Sequence, residues 1–195
     1  PPPPPPVAAI VIAPEAPVVR VTLPPATKLA DRTPPELVTS LCPCPLQPRA
    51  WAALIAFVAP STLSNYTMQA DVMTDGNARS KADLGLINQR YLICLRGNAN
   101  KLEISSNLER LAQTAVFKVS ANTWYTLKTR VDVAADGSGV VKGKIWPKAQ
   151  PEPEAWTIEA KVAKAHTQGS PGIFGFTPMN QKRVFLDNLS ITENK

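Results

Sequence analysis

The distribution of prolines divides this sequence into a proline-rich first part and a second part with few prolines. Fifteen of the 21 prolines precede residue 50, and six of them open the chain. Proline fixes φ and lacks a backbone N–H, which excludes long helices from the first part. We therefore predict an extended arm over residues 1–49, close to polyproline II, with short β pieces at VAAIVI and VVRVTL. Residues 50–195 are long enough to form one folded domain.

The arm is more apolar than a solvated linker. Linkers that stay in water are typically polar, whereas the two β pieces here are rich in valine and isoleucine. We predict that the arm docks on a protein partner, and a disordered linker is the alternative. The side chains predicted to dock are Val7, Ile10, Ile12, Val19 and Val21.

After residue 50 the sequence alternates between apolar and polar residues over short segments. The segments YTMQADVMT (66–74) and WYTLKTRVDVA (124–134) each place their more apolar residues on one face, as half-buried strands do. The stretch DGSG (136–139) predicts a tight hairpin turn. About eight short strands separated by turn signals, with no convincing amphipathic helix, predict an all-β antiparallel sandwich.

Six stretches of the domain carry a resemblance to a known family. The domain resembles the laminin-G/concanavalin-like jelly-roll domain found at the C-terminal end of bacterial proteins with a pyrroloquinoline-quinone-type β-propeller. The resemblance spans about residues 27–194. The stretches that carry it are SNYTMQADVM, LGLINQRYLICLRGNANKLEI, NTWYTLKTRV, VKGKIWPKAQPEPEAWTIEA, GSPGIFGF and FLDNLSIT. It implies a two-sheet jelly roll in an exported or envelope protein, and it implies no reaction.

Composition narrows the classes of function. The formal net charge is +6, with basic and acidic residues interspersed, which differs from the profile of a nucleic-acid-binding domain. No apolar run reaches the roughly 18–20 residues of a spanning helix, so we expect no transmembrane helix in the chain. Because the chain begins with proline, we expect either a processed mature protein or a fragment.

Two tryptophans frame a proline-rich loop in KIWPKAQPEPEAWTIEA (144–160). Trp146 ends one predicted strand and Trp156 begins the next. Aromatic residues at such positions usually bury a large area and fix the loop. The alternative is a carbohydrate platform, which needs exposed rings and convergent polar groups. Both roles stay open from the sequence, and Trp146 and Trp156 are the candidate ligand-binding residues.

The acidic residues favour neither an enzyme nor a metal site. A glycosidase needs two carboxylates about 5–10 Å apart across the scissile bond, and no strand carries that pattern. We predict no enzyme, no catalytic residues and no cofactor. The calcium candidates are Asp132 and Asp136, from an Asp-Gly pattern that is more often just a turn. The resemblance adds Asp187, because in similar jelly rolls that position sometimes faces a structural calcium. We predict no metal at any of the three.

The three cysteines leave two states open. Cys42 and Cys44 belong to a C-x-C pair that is too tight to bridge internally, so either could pair with Cys94. Free thiols are the alternative.

We therefore predict a non-catalytic structural or interaction subunit. It would be exported, in a periplasmic or other extracytoplasmic location, and would dock on a larger cell-envelope or membrane protein complex. A photosynthetic or respiratory complex is one kind of host. The alternative function is a carbohydrate-binding module of a cell-envelope protein, with a glycan as its partner.

Overall fold

The structure, a computed structural model, describes residues 10–11, 18–19, 52–177 and 183–194. For residues 10–11, 18–19 and 52 it describes the backbone alone. The strands are β1 (Ile10–Val11), β2 (Val18–Val19), β3 (Ala52–Phe57), β4 (Tyr66–Thr74), β5 (Gly76–Asn77), β6 (Ser80–Lys81), β7 (Asp83–Asn88), β8 (Tyr91–Arg96), β9 (Lys101–Ser106), β10 (Leu111–Val116), β11 (Tyr125–Val133), β12 (Gly139–Pro147), β13 (Ile158–Val162), β14 (Gly172–Thr177) and β15 (Val184–Glu193).

Two antiparallel sheets form the domain. The first has six strands in the order β10-β9-β8-β7-β14-β3, and the second has five in the order β13-β12-β11-β4-β15. Strand pairs β1–β2 and β5–β6 form two small separate sheets. No helix occurs in the described residues, and none of them offers a helical segment that could cross a membrane. The predicted all-β antiparallel sandwich is confirmed.

The inner faces of the sheets are the faces that the alternation predicted. On β4 the residues Tyr66, Met68, Ala70 and Val72 are all at most 2% exposed. They belong to one continuous apolar core that includes residues of both sheets, such as Ile93 of β8. Each large side chain buried in this way contributes about 1.5–3 kcal/mol to folding.

The turn at DGSG joins β11 to β12, as predicted. Gly137 has a φ of 85°, which glycine adopts without a steric cost. Asp136 Oδ1 accepts hydrogen bonds from the backbone N–H and the hydroxyl of Ser138, at 2.9 and 2.7 Å. The turn fixes the register that pairs Leu127 with Ile145 and Thr126 with Trp146.

The first strand of the domain and its last strand are edge strands, one in each sheet, and they lie on the same side of the sandwich. These edge strands are β3 in the six-stranded sheet and β15 in the five-stranded sheet. β15 contains an irregularity between Asp187 and Ser190, where Asn188 has a φ of 50°. Bulges of this kind bend an edge strand and weaken its tendency to pair with other chains.

Candidate functional site: the polar face of the five-stranded sheet

The outer face of the five-stranded sheet is built from the residues that alternate with the core residues. On its central strands these outward residues are mostly polar or charged, and the pairing places them in rows across the sheet. One row joins Asp71, Thr126 and Trp146, and the next joins Gln69, Lys128 and Lys144. We call this surface the polar face, and it comprises Thr67, Gln69, Asp71, Thr126, Lys128, Arg130, Lys142, Lys144 and Trp146.

Asp71 is the centre of a cluster on the polar face. Its Oδ1 accepts a hydrogen bond from the Thr126 hydroxyl at 2.8 Å, and its Oδ2 accepts one from Asn188 Nδ2 at 2.7 Å. Lys148 Nζ lies 2.7 Å from the same Oδ2. Burial alone would raise the pKa of Asp71, but the hydrogen bonds from Asn188, Lys148 and Thr126 together hold that pKa below its ordinary value. Asp71, which is 7% exposed, is therefore a buried carboxylate fixed by three partners.

An aromatic ring lies beside this cluster. Lys148 Nζ lies 5.6 Å from the centroid of the half-buried Trp124 ring, and the Lys148 N–H donates to the Trp124 carbonyl at 2.9 Å. Met73 and Phe185, paired across β4 and β15 and both partly exposed, continue the apolar surface at this end of the polar face. A ring next to a carboxylate, an amide and an ammonium group combines an apolar surface with orienting polar groups.

Trp146 and Trp156 flank a lysine. Lys144 Nζ lies 5.8 Å from the Trp146 ring centroid and 4.8 Å from that of Trp156. The same Nζ lies 2.5 Å from Glu152 Oε1 and donates to the Pro153 carbonyl at 2.9 Å. Trp146 is 7% exposed, so little of its ring is free to meet a ligand. Trp156 is half-buried.

Glu152 ties the proline-rich loop to the polar face. Besides Lys144, it accepts from Lys128 Nζ at 2.9 and 3.2 Å. Burial would raise the pKa of Glu152, yet the hydrogen bonds from Lys144 and Lys128 lower it below its ordinary value. The loop between β12 and β13 is thus held against the outer face by one shared carboxylate.

The predicted calcium candidates have other contacts. Asp132 pairs with Arg130 at 2.8 Å and accepts from Asn194 at 2.9 Å. Asp136 stabilises the β11–β12 turn, and Asp187 accepts from the N–H of Asn188 at 2.7 Å. Among the described residues, no group of three or more His, Cys, Asp or Glu side chains is placed to hold a metal ion.

Of the three cysteines, only Cys94 lies within the described residues. Cys94 is a free, fully buried thiol on β8, and burial raises its pKa well above the ordinary range. Cys42 and Cys44 lie outside the described residues.

The predicted docking residues of the arm are described only in part. Ile10 of β1 pairs with Val19 of β2 through the backbone, while Val7, Ile12 and Val21 lie outside the described ranges.

A second polar cluster surrounds the lone histidine. His166 Nε2 lies 2.9 Å from Glu109 Oε1, which also accepts from the Tyr91 hydroxyl at 3.0 Å. Ser106 donates to the other oxygen of Glu109. Tyr91 is fully buried, and that burial is the main cause that raises its pKa to about 12. A neutral, enclosed phenol of this kind joins the loop after β13 to the β9–β10 turn instead of meeting a substrate.

The outer face of the six-stranded sheet carries an exposed apolar patch. Ile55 and Phe57, both on the edge strand β3, are 57% and 55% exposed. Phe174 and Phe176 lie beside them on β14 and are half-buried. We call these four residues the apolar patch. Clusters of exposed apolar side chains of this kind are typical of interaction surfaces.

Sequence reasoning missed the Asp71 cluster. Its members come from β4, β11, the β12–β13 loop and β15, and Asp71 and Asn188 are 117 positions apart. The available signal was the polar residues on the outward half of each alternating strand.

Comparisons with known proteins identify the fold. No protein-family model matches the sequence, and no curated protein matches it. A carbohydrate-binding module from Bacillus subtilis superposes with a TM-score of 0.51 at 15% identity, over 74% of this chain and 92% of that chain. An alginate lyase from Aplysia kurodai gives 0.49 at 10% identity, over 71% and 74%. A galectin from Caenorhabditis elegans gives 0.42 at 9% identity, over 73% and 93%. The likeness to the first structure supports the predicted jelly-roll fold.

Proposed function

We propose that this chain is a non-catalytic carbohydrate-binding domain whose site is the Asp71 end of the polar face. The observation that carries the proposal is the cluster of Asp71, Asn188 and Lys148 beside the half-buried Trp124 ring. The structural neighbour from Bacillus subtilis, described as a carbohydrate-binding module, supports the same function.

The hydrogen-bonding capacity of the cluster leaves room for a sugar. A carboxylate offers about four lone-pair sites, and Asp71 uses three of them on Thr126, Asn188 and Lys148. The fourth site, on Oδ1, has no partner among the described residues, and because Asp71 is only 7% exposed, a sugar hydroxyl would reach it at the rim of the cluster, beside the exposed Lys148 side chain. Lys148 has three donors and a side chain that is 46% exposed, so it keeps donors for a second sugar oxygen. The Trp124 ring supplies the apolar surface on which a pyranose C–H face stacks.

Titration against a broad glycan panel tests this function. We expect at least one glycan to quench or shift the tryptophan fluorescence, and to release heat in calorimetry. Trp124→Ala and Asp71→Asn should weaken that binding at least ~10-fold, since each removes a hydrogen bond or a stacking surface worth about 1–2 kcal/mol. The control Thr114→Ala, on the exposed face of β10, should bind like the wild type. Flat titrations across the panel would overturn the proposal.

The non-catalytic part of the proposal has its own test, because lyases also occur among the neighbouring structures. The glycans that bind are incubated with the protein and analysed for new reducing ends and for unsaturated products, which absorb in the ultraviolet. We expect neither. If the wild-type protein forms either product and Asp71→Asn does not, the site is catalytic.

A second candidate function is favoured by the apolar patch. Ile55 and Phe57 are more than half exposed on an edge strand, which suits a protein partner better than water. In this alternative the chain is an exported interaction subunit of a larger cell-envelope or membrane complex, in a periplasmic or extracytoplasmic location. The resemblance to C-terminal domains of envelope propeller proteins is consistent with that location, and a photosynthetic or respiratory complex is one kind of host.

Gentle detergent extraction of the native envelope tests the second candidate. The chain is followed on a native gel, and its companions are identified by mass spectrometry. Co-migration with a large complex, lost in an Ile55→Asp/Phe57→Asp variant, would support the interaction subunit. Migration of the chain alone, at its own mass of 21.0 kDa, would exclude the interaction subunit and leave carbohydrate binding as the remaining candidate function.

A further inference from the structure

One side of the sandwich is open between its two sheets. The edge strands β3 and β15 lie on this side, and a narrow apolar crevice of about 20 Å³ runs between the sheets next to them. Leu54 of β3 and Leu186 of β15 line the crevice, and both are only partly buried although they pack against the core. The core is therefore less well covered here than in the middle of the sheets.

The opposite side is better closed by the sandwich itself. There β10 and β13 are the edge strands, and β13 packs against both β9 and β10 of the other sheet. Ile158, Ala160 and Val162 of β13 are at most 8% exposed. The two sides thus differ in how far the domain covers its own core.

A hairpin from the proline-rich arm lies at the open side. β1 and β2 pair antiparallel, with Ile10 opposite Val19 and Val11 opposite Val18, and β1 lies beside β15. The hairpin strands come from the two valine- and isoleucine-rich pieces of the arm. Exposed edge strands are commonly covered by another segment of their own chain, which prevents them from pairing with other molecules.

We propose that the β1–β2 hairpin is a cover for the open side of this chain's own sandwich, packed along β15 and over the apolar crevice. The occupant of the crevice is then this chain and not a partner. The hairpin is then part of the folded domain, and of the surfaces described above the polar face and the apolar patch remain for other molecules.

Hydrogen exchange on the full chain tests the cover. The variant Ile10→Asp/Val11→Asp places a charge at two consecutive positions of β1. We expect exchange of the β15 amides to rise at least ~10-fold, with β8 and β9 unchanged, because loss of the cover opens only the edge. The bond after Arg20 should be cut by trypsin at least ~10-fold faster. The matched control Pro2→Asp/Pro3→Asp adds the same charge outside the hairpin and should behave like the wild type. Equal exchange and equal cleavage in all three proteins would overturn the proposal.

A second measurement avoids destabilising the cover. In a Cys42→Ser/Cys44→Ser chain, a nitroxide is attached at Ser190→Cys on the exposed part of β15, while the buried Cys94 stays unlabelled. We expect the amide signals of Ile10, Val11, Val18 and Val19 to broaden. A label at Thr114→Cys, on the edge strand β10 of the opposite side, should leave them sharp. Equal intensities with both labels would mean that the hairpin does not lie at β15.

Discussion

The two outer faces of this sandwich differ in how much exposed apolar surface they carry, although both inner faces are apolar. On the five-stranded sheet, outward lysines and carboxylates are joined to one another, as in the contacts of Lys144 and Lys128 with Glu152. On the six-stranded sheet, a charged cluster around Arg96 occupies β7, β8 and β9, while Ile55 and Phe57 stand exposed on β3. Because both inner faces belong to one core, the inward residues of each strand specify the fold, and the outward residues determine which surface the domain presents.

The largest effect should come from the inner faces, and it should be the same in both sheets. Ile93 of the six-stranded sheet and Leu127 of the five-stranded sheet are both 0% exposed. We expect Ile93→Ala and Leu127→Ala each to lower the free energy of unfolding by about 2–5 kcal/mol, because each leaves a cavity. Urea denaturation measures the free energy of unfolding of each variant. A cost below ~1 kcal/mol at one position only would break the equivalence of the two inner faces.

The next largest effect on stability should distinguish a buried lysine of the polar face from a more exposed lysine of the same face. Lys144 has a side chain that is 7% exposed, and it contacts Glu152, Pro153 and two tryptophan rings. Lys144→Ala should lower the free energy of unfolding by about 1–3 kcal/mol, since it removes the hydrogen bond to the Pro153 carbonyl, the ion pair with Glu152 and the contacts with the two rings. The control Lys142→Ala, on the same strand and face, should stay within about 0.5 kcal/mol. Similar costs for the two variants would mean that the loop contacts contribute nothing to stability.

The pH dependence of stability should reveal the fixed carboxylate. The folded-state pKa of Asp71 is lowered, so its contribution is present above the unfolded value of about 3.9 and is lost as the pH falls through the folded value. Urea midpoints at pH 7 and pH 3 should therefore differ less in Asp71→Asn than in the wild type. Lys148→Met removes one cause of the lowered pKa, so the folded value moves closer to the unfolded one and the difference between pH 7 and pH 3 should shrink in this variant too. An unchanged difference in both variants would show that Asp71 does not contribute to acid sensitivity.

The smallest effect should come from the apolar patch. Phe57 and Ile55 are more than half exposed, so Phe57→Ser and Ile55→Ser should change the free energy of unfolding by no more than about 0.5 kcal/mol. Self-association, measured by light scattering, should fall instead. A cost of ~2 kcal/mol would show that these side chains belong to the core and not to an interaction surface.

The alternation of residues predicted the inner faces because burial acts on each strand separately. Tyr66, Met68 and Val72 are separated by even numbers of positions, so their common face follows from strand geometry alone. The turn at DGSG was predictable for the same local reason. The confirmed fold class thus follows from short-range patterns.

The site could not be predicted in the same way, because its members meet only through strand order. Nothing local to Asp71 indicates that β4 lies between β11 and β15, which is what brings Thr126 and Asn188 to its two oxygens. Likewise, His166 and Glu109 are distant in sequence and meet across a loop. Sequence predicted which residues face outward, and strand order decides which of them are neighbours.

The order of the strands also sets when the molecule can fold. β14 lies between β7 and β3, so the six-stranded sheet is incomplete until residue 177 has been made, and β15 completes the other sheet only with residues 184–193. Non-local pairing of this kind makes folding slow. A nascent chain that has not yet released β14 and β15 would hold two unfinished sheets, so the domain can complete its fold only after residue 193 has left the ribosome, and until then the exposed apolar strand faces can be bound by chaperones.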